Sequence, residues 1–211
     1  MLPRVLCLIV ALLAVLGGAT VAPATVAPED VPALDAWVHV PKFGVFRIRF
    51  DPSATPNHVS HFLGLAAQGF YDGLCVHRVV PGLLVQYGNA GMRDIGPRRG
   101  ELLPPDYRLP EEGPAREIPR GTVAMAWQDQ EPGTAGTEWF VAVADRPELT
   151  GQATVIGEVI EGMVVIDGLA QVPCLYNRRP LDRYEFTVHL GDSSLPEGEM
   201  PASVPRPAPE D

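Results

Sequence analysis

An arginine and a glutamine stand eight residues apart in an apolar, strand-like segment that runs from Val76 to Gln86. The guanidinium of Arg78 stays protonated and presents rigid hydrogen-bond donors, whereas the amide of Gln86 can both donate and accept. Residues at even spacing along a strand share one face, so the two side chains point the same way only if a turn at Pro81-Gly82 preserves the register. Two interpretations follow: a solvated arginine at a sheet edge, or a cation aimed at a partner, because an unpaired buried arginine is costly.

The segments around this pair show either strand or helix periodicity. Alternating apolar and charged residues predict two strands joined by a turn within Val38–Phe50. Helical spacing predicts a helix over Thr55–Gln68, with Thr55 as its N-cap, and a second, shorter helix over Gly162–Ala170. Further strands are predicted on both sides of the Pro81-Gly82 turn and for Thr122–Ala126, Trp139–Ala144, Thr154–Glu158 and Tyr184–Leu190.

The length and the charge of the chain limit what it can be. The 211 residues suffice for one domain of ordinary size with flanks. A domain of about 150 residues buries roughly 70% of its unfolded surface, which is enough for a core. The formal net charge of −10 argues against a general nucleic-acid-binding protein, because binding to phosphates requires an excess of Lys and Arg. We predict one domain over residues 36–190.

Both ends of the chain differ in composition from this domain. Residues 1–24 combine a short basic start, an apolar run and small residues at the end, which is typical of a secretory signal peptide. An uncleaved N-terminal anchor is the alternative, because the apolar run approaches the length of a spanning helix. Residues 25–35 are a predicted linker, and the Pro-rich acidic tail over residues 191–211 is predicted to be disordered. We expect an exported protein, periplasmic or secreted, that contacts a membrane only through an uncleaved leader.

Removal of the leader would leave two cysteines, Cys75 and Cys174. An exported protein could join them in a disulfide, but both lie in apolar surroundings. Two buried free thiols are the favoured interpretation, and the bridge stays open. Neither the cysteines nor the five histidines show a metal-ligand spacing, so no metal site is predicted.

Six short motifs follow one another along the chain, and the segment His77–Gly82 is the most specific of them. Taken in order, the motifs resemble those of the cyclophilin family of peptidyl-prolyl cis-trans isomerases, over about residues 43–190. The other five motifs are Phe70-Tyr71-Asp72-Gly73, Gly121–Ala126, Gly136–Phe140, Leu149-Thr150-Gly151 and Gly157–Met163.

The resemblance implies both a fold and a reaction. The fold would be mainly β, a closed eight-stranded antiparallel barrel capped by two α-helices. The reaction would be rotation about X-Pro peptide bonds, whose planar amide resists rotation by about 20 kcal/mol. In this family the arginine matching Arg78 donates to the prolyl nitrogen, and the glutamine matching Gln86 helps to hold the arginine and the peptide carbonyl. His77 is expected to be a buried, hydrogen-bonded structural residue, and no cofactor or nucleophile is implied.

An apolar socket for the proline ring is implied as well. Phe140 is the favoured socket residue and is counted with the arginine and the glutamine as catalytic. Neighbouring residues on a strand point to opposite faces, so Trp139 can fill the core while Phe140 faces the groove. The other matching positions are Leu83, Leu84 and Leu149 for the socket, and Ala126 with the backbone of Trp127 for the strand that clamps the peptide. Each apolar position could equally belong to the core of the barrel.

The chain departs from the family pattern at the rim of the groove. Leu83-Leu84 stand where members carry Phe-Met, and Glu138 replaces a glutamine. Glu148 and Ala153 occupy positions that often hold an aromatic residue and a His or Tyr. Glu138 is expected among the substrate-binding residues, and it could pair with Arg78, which would either hold the arginine in place or compete with the peptide.

Two functions are compatible with these residues. The first is a peptidyl-prolyl cis-trans isomerase that acts as a monomer on proline-containing polypeptides and assists the folding of exported proteins. The second is a non-catalytic, chaperone-like module that grips proline peptides on the same fold. Retention of Arg78, Gln86 and Phe140 favours the enzyme, whereas the altered rim keeps the binding module open.

Overall fold

The computed structural model describes residues 35–92 and 107–191. The predicted leader, nearly all of the predicted linker and the predicted tail beyond Gly191 lie outside these residues. The elements are β1 (Asp35–Val40), β2 (Gly44–Phe50), α1 (Pro56–Ala67), β3 (Leu74–Cys75), β4 (Arg78–Val80), β5 (Leu84–Tyr87), β6 (Thr122–Ala126), β7 (Trp139–Ala142), β8 (Ala153–Glu161), α2 (Met163–Leu169) and β9 (Glu185–Leu190). Short 3₁₀ turns occupy Ala90–Met92, Gln128–Gln130 and Pro147–Leu149. Neither α-helix in the described segments has the length and apolar character that a membrane crossing would need.

The nine strands form one antiparallel sheet in the order β3-β9-β1-β2-β8-β6-β7-β5-β4. The sheet curls into an open half-barrel whose two edges are β3 and β4. The expectation of a closed eight-stranded barrel was therefore wrong, whereas the mainly β class with two α-helices is confirmed. The region on either side of the Pro81-Gly82 turn also contains one strand more than predicted, the short β3.

The connection between β3 and β4 explains why the ladder is open. The two strands belong to one continuous stretch of chain, in which only Val76 and His77 separate them. The Val76 N–H donates to the carbonyl of Tyr184 at 2.9 Å, on the β9 side, and the His77 N–H donates to the carbonyl of Gln86 on β5 at 3.2 Å. β3 and β4 thus pair with different strands and not with each other, and they are the two ends of the strand order.

Alternation along the strands places apolar side chains inside the curl. On β2, Phe46 and Ile48 are fully buried, whereas the intervening Arg47 and the following Arg49 point outward and pair with Asp35 at 2.6 and 3.2 Å. Such pleated alternation is what the sequence pattern of this segment predicts.

Aromatic rings dominate the interior. Tyr87 and Trp139 stack with their centroids 4.3 Å apart and their planes at 11°. Phe62 from α1 and Phe186 from β9 both meet the Trp139 ring edge-on, at 5.5 and 6.0 Å between centroids. Each such buried pair adds about 0.5–1.5 kcal/mol beyond the burial of its area. The helix and three strands are thereby fixed to one another.

Helix α1 begins at Pro56 with Thr55 in the predicted N-cap position, but its first turn is capped by a distant carboxylate. The Thr55 hydroxyl donates to the carbonyl of Val155 at 2.9 Å and makes no capping bond. Instead the Glu112 carboxylate accepts from the backbone N–H groups of Asn57 and His58, both at 3.0 Å, and from His58 Nδ1 at 2.8 Å. An anion at this end of a helix satisfies free N–H groups and interacts favourably with the helix dipole.

A close backbone approach between β2 and β8 yields a test of the packing of the sheet. Gly157 on β8 faces Phe50 on β2, and a Cβ on this glycine would overlap the Arg49 carbonyl oxygen and lie 3.0 Å from Cα of Phe50. We expect Gly157→Ala to lower the free energy of unfolding by roughly 1–3 kcal/mol, because two backbones must separate. The measurement is urea denaturation followed by circular dichroism.

Gly64 provides the matched control for this prediction. It lies within α1, and a Cβ there would meet no atom within 4 Å. Gly64→Ala should raise the free energy of unfolding by about 0.5–1 kcal/mol through helix propensity. Equal effects of the two substitutions would contradict the close approach of β2 and β8.

The Glu112 cap predicts a pH-dependent contribution to stability. Burial raises the pKa of Glu112, but hydrogen bonds from the His58 ring and from the backbone of Asn57 and His58 outweigh it and hold the pKa below the usual 4.5. A depressed folded-state pKa means that the stabilisation is complete above the unfolded value and is lost as the pH falls through the folded value. Glu112→Ala should therefore cost about 1–3 kcal/mol at pH 7 and much less near pH 3.

The check is urea denaturation of both proteins at the two pH values. Glu111→Ala serves as the control, because Glu111 is the exposed neighbour of Glu112 and caps nothing in the described structure. A loss that is the same at both pH values would show that the carboxylate charge is irrelevant to the cap.

Candidate active site

Four side chains form one row across β6, β7, β5 and β4. Ala124 pairs with Phe140, Phe140 pairs with Gln86, and Gln86 pairs with Arg78, so all four lie on the same face of the sheet. The Pro81-Gly82 turn preserves the register that the sequence required, with Leu83 N–H donating to the Val80 carbonyl at 2.9 Å. The condition under which Arg78 and Gln86 can share one face is therefore met.

Arg78 lies on an edge strand with its side chain exposed, but the side chain is held by a hydrogen bond within the protein. Its Nη1 donates to Oε1 of Gln86 at 3.1 Å. Gln86 itself is only 8% exposed and sits between Arg78 and Phe140 in the row. The guanidinium is thus held by Gln86 at Nη1, while the Arg78 side chain remains exposed to solvent.

A second hydrogen bond fixes which way the Gln86 amide points. Gln86 Nε2 donates to Oε2 of Glu138 at 2.7 Å, and His77 Nε2 lies 3.2 Å from the same oxygen. An ionised carboxylate only accepts hydrogen bonds. The amino group of Gln86 must therefore face Glu138, and its carbonyl must face Arg78.

This chain of bonds shows how Glu138 is connected to Arg78, with which the sequence analysis considered a direct pair. In the described part of the chain, Glu138 makes no direct ion pair with Arg78; the two are connected through Gln86. Glu138 therefore orients the arginine indirectly rather than neutralising it by contact. His77 is nearly buried and hydrogen-bonds to Glu138, in keeping with a structural residue under the groove.

The surroundings of Glu138 keep its carboxylate ionised. Burial raises its pKa, but the hydrogen bond and charge of His77, the hydrogen bond of Gln86 and the charge of Arg78 outweigh this and hold the pKa below its usual 4.5. At neutral pH the Gln86 amide therefore contacts an anion, Glu138, through its amino group and a cation, Arg78, through its carbonyl.

A small apolar cluster lies beside this row, separate from the main core. We call it the socket cluster. Its buried members are Leu84, Ile118, Ala124, Phe140, Ala142, Ala153 and Val155, with Val80, Leu83, Ala126 and Leu149 packed against it. The predicted socket residues Leu83, Leu84, Phe140 and Leu149 are therefore brought together. Trp139, by contrast, belongs to the main core, so the two neighbouring rings do point to opposite faces.

Ala126 and Trp127 continue the groove, but in different ways. Ala126 packs against the socket cluster, and its N–H donates to the Glu138 carbonyl at 2.9 Å. That N–H is therefore not available to a bound peptide. The Trp127 ring packs against the main core and its Nε1 donates to Oγ1 of Thr154 at 3.0 Å, which leaves only the extended backbone of Trp127 near the groove.

Two residues near the socket were not anticipated from the sequence. Ile118 is 1% exposed and belongs to the socket cluster, although its neighbours along the chain are polar or proline. Its carbonyl accepts from the N–H of Arg146 at 2.8 Å. The guanidinium of Arg146 lies near the Gly82 turn and 3.4 Å from the carboxylate of Glu148. The only feature of the sequence that could have pointed to Ile118 as a buried residue is that it is a single apolar residue in a segment without helix or strand periodicity.

Glu148, for which the sequence predicts a place at the rim, directly precedes Leu149 of the socket cluster. It is on the 3₁₀ turn Pro147–Leu149, with its side chain 57% exposed and its nearest charge on Arg146. Neither Cys75, which is buried, nor Cys174, which is half-buried, forms a disulfide in the described part of the chain. Within residues 35–92 and 107–191, no group of three potential metal-ligating side chains comes together.

Residues 37–188 match the model of the cyclophilin type peptidyl-prolyl cis-trans isomerase/CLD family. The chain belongs to this family. A probable peptidyl-prolyl cis-trans isomerase of Brucella abortus is 36% identical over 133 residues, which cover 60% of this chain and 66% of that protein. Peptidyl-prolyl cis-trans isomerase-like 1 of Aspergillus oryzae is 30% identical over 143 residues, or 68% of this chain and 86% of that protein.

Crystal structures of a cyclophilin type peptidyl-prolyl cis-trans isomerase from Cryptosporidium parvum share the fold. One is 22% identical, with a TM-score of 0.63 over 78% of this chain and 100% of that chain. The other was determined in the presence of the dipeptide Ala-Pro, with 23% identity and a TM-score of 0.59 over 72% of this chain and 98% of that chain. The resemblance recognised in the sequence is thereby confirmed, and the predicted enzyme class is that of the family.

Proposed function

We propose that this cyclophilin catalyses rotation about X-Pro peptide bonds in polypeptides that lie across the exposed face of β4, β5, β7 and β6. The observation that carries this proposal is the position of Arg78. Its exposed guanidinium is oriented by Gln86 and stands in the same row as Phe140, next to the socket cluster. A fixed cation beside an apolar socket is the arrangement that a prolyl amide needs during rotation.

The physical basis is the loss of amide resonance. Planar X-Pro bonds owe their barrier of about 20 kcal/mol to the delocalised nitrogen lone pair. In the twisted state that lone pair is freed and can accept a hydrogen bond, which it does far less well in the planar ground state. A donor preoriented at this nitrogen stabilises the transition state selectively. The rotation breaks no covalent bond, so it requires neither a nucleophile nor a cofactor.

The socket cluster provides the reference point for the substrate. A proline ring placed against Phe140, Leu84 and Leu149 would bury apolar surface and bring its nitrogen towards Arg78 at the far end of the row. Determination of a related structure in the presence of the dipeptide Ala-Pro supports a proline-containing ligand.

Replacement of Arg78 is the direct test. Arg78→Ala should lower kcat/KM for a short proline peptide at least tenfold, equivalent to about 1.4 kcal/mol of transition-state stabilisation. Arg78→Lys should recover only part of the activity, because the compact ammonium lacks the planar fork that Gln86 holds. The rates can be measured by two-dimensional exchange NMR, with thermal unfolding as a check that the variants fold.

Arg49→Ala is the matched control, because Arg49 lies on β2 and pairs with Asp35 away from the row. Its kcat/KM should stay within twofold of the unmodified protein. Equal rates for the unmodified protein and Arg78→Ala would remove the arginine from catalysis. Peptide binding without any acceleration would favour the alternative function, a non-catalytic module that grips proline peptides.

We further propose that the protein is exported and acts as a monomer on proteins folding outside the cytoplasm. The apolar run within residues 1–24 and the small residues that end it support export. When the full chain is expressed in a bacterium, we expect the recovered protein to begin after Ala24, as determined by intact mass. Leu13→Arg should block this processing. A chain that keeps residue 1 and requires detergent for extraction would favour the anchor.

A further inference from the structure

The face that carries Arg78 is organised in parallel rows, and Glu138 occupies a row of its own. The apolar row contains Val80, Leu84 and Ala142, and the central row contains Arg78, Gln86, Phe140 and Ala124. Glu138 lies beyond the central row, two residues before Phe140 and hydrogen-bonded through its backbone to Ala126. Alternate residues on a strand are about 6.5–7 Å apart. Glu138 is therefore one row from Phe140, on the side away from Leu84.

Only one of the two carboxylate oxygens of Glu138 has a polar partner among the described residues. Oε2 accepts from Gln86 and faces His77, whereas Oε1 has no hydrogen-bond partner among the described residues. The Glu138 side chain as a whole is 35% exposed, so it is partly accessible to solvent. The carboxylate remains ionised at neutral pH because its pKa is lowered. An accessible, fixed negative charge thus lies next to the place where the proline ring would sit.

The loop that leads to Glu138 has the same sign of charge. Between β6 and β7, residues 127–138 include Asp129, Glu131 and Glu138 and no Lys or Arg. Asp129 and Glu131 are both exposed. At physiological ionic strength such charges act over about 8 Å, so they add to the local potential without replacing a contact.

We propose that Glu138 is a specificity-determining residue that favours substrates with a lysine or arginine close to the proline, on the Glu138 side of the groove. This inference rests on the proposed function, since it takes a proline ring in the socket cluster as its reference. The long basic side chain would cross one row of the sheet and pair with Oε1 of Glu138. A substrate with an acidic residue in that place would meet the carboxylate as a like charge and bind less well.

Peptide series measured on two proteins test this proposal. Each series places Lys, Gln or Glu at one of three positions: one or two residues before the proline, or one after it. For the unmodified protein at low salt, we expect kcat/KM to be three- to tenfold higher with Lys than with Glu at one or more of these positions. In Glu138→Gln the ratio should fall to near one, and in the unmodified protein it should shrink as salt is added.

The design separates specificity from simple positioning. The Gln peptide reports any effect of Glu138 on Arg78 through Gln86, and such an effect would slow all three peptides equally. Glu161→Gln is the control: Glu161 is an exposed carboxylate on β8 opposite Arg47 and should keep the charge preference of the unmodified protein. A Lys-to-Glu ratio near one at every position, or a ratio unchanged by Glu138→Gln, would overturn the proposal.

The proposed function can fail independently of this inference. If the protein isomerises no peptide, including the neutral one, the catalytic proposal is wrong. The same peptides are therefore also compared by NMR titration, which measures affinity without catalysis. Tighter binding of the Lys peptide that disappears in Glu138→Gln would then support the charge preference, and equal affinities would reject it.

Discussion

The pairing of β5 with β7 is the constraint on which both the core and the candidate site depend. In one register, Tyr87 faces Trp139 and their rings stack inside the curl, while Gln86 faces Phe140 on the open side. A slip of one residue would move each side chain to the opposite face. The stacked rings therefore fix the register, and the register in turn places Gln86 between Arg78 and Phe140.

The donor-to-acceptor direction of the hydrogen bonds fixes the orientation of the polar side chains in the site. Arg78 donates to Gln86, and Gln86 donates to Glu138, so each group has one permitted orientation. A glutamine at position 138 could offer either end of its amide, whereas a carboxylate can only accept. The glutamate that replaces the family's glutamine at this position therefore allows Gln86 only one amide orientation, with the carbonyl oxygen of Gln86 towards Arg78. It also adds an exposed negative charge to the groove.

One irregular segment, residues 107–121, stabilises both faces of the molecule. Glu112 caps the first turn of α1, and Ile118 fills the socket cluster. The Leu109 N–H also donates to the carbonyl of Ala135 at 2.8 Å, and this bond connects the segment to the loop between β6 and β7. A segment with little periodicity in its sequence thus contacts helix α1, the socket cluster and the loop between β6 and β7.

The sequence by itself determined the features that depend on neighbours along the chain. Alternation predicted the opposite faces of Trp139 and Phe140, and the ordered motifs indicated the family. Strand periodicity allowed Arg78 and Gln86 to share a face on the condition that the Pro81-Gly82 turn preserves the register. These properties follow from backbone geometry over a few residues. Only the tertiary structure decided that the sheet stays open between β3 and β4, and that Glu112, 54 residues along the chain from His58, caps α1. It also decided that Glu138 acts through Gln86. These contacts depend on how the sheet curls, and no local pattern encodes the distance between residues so far apart in sequence.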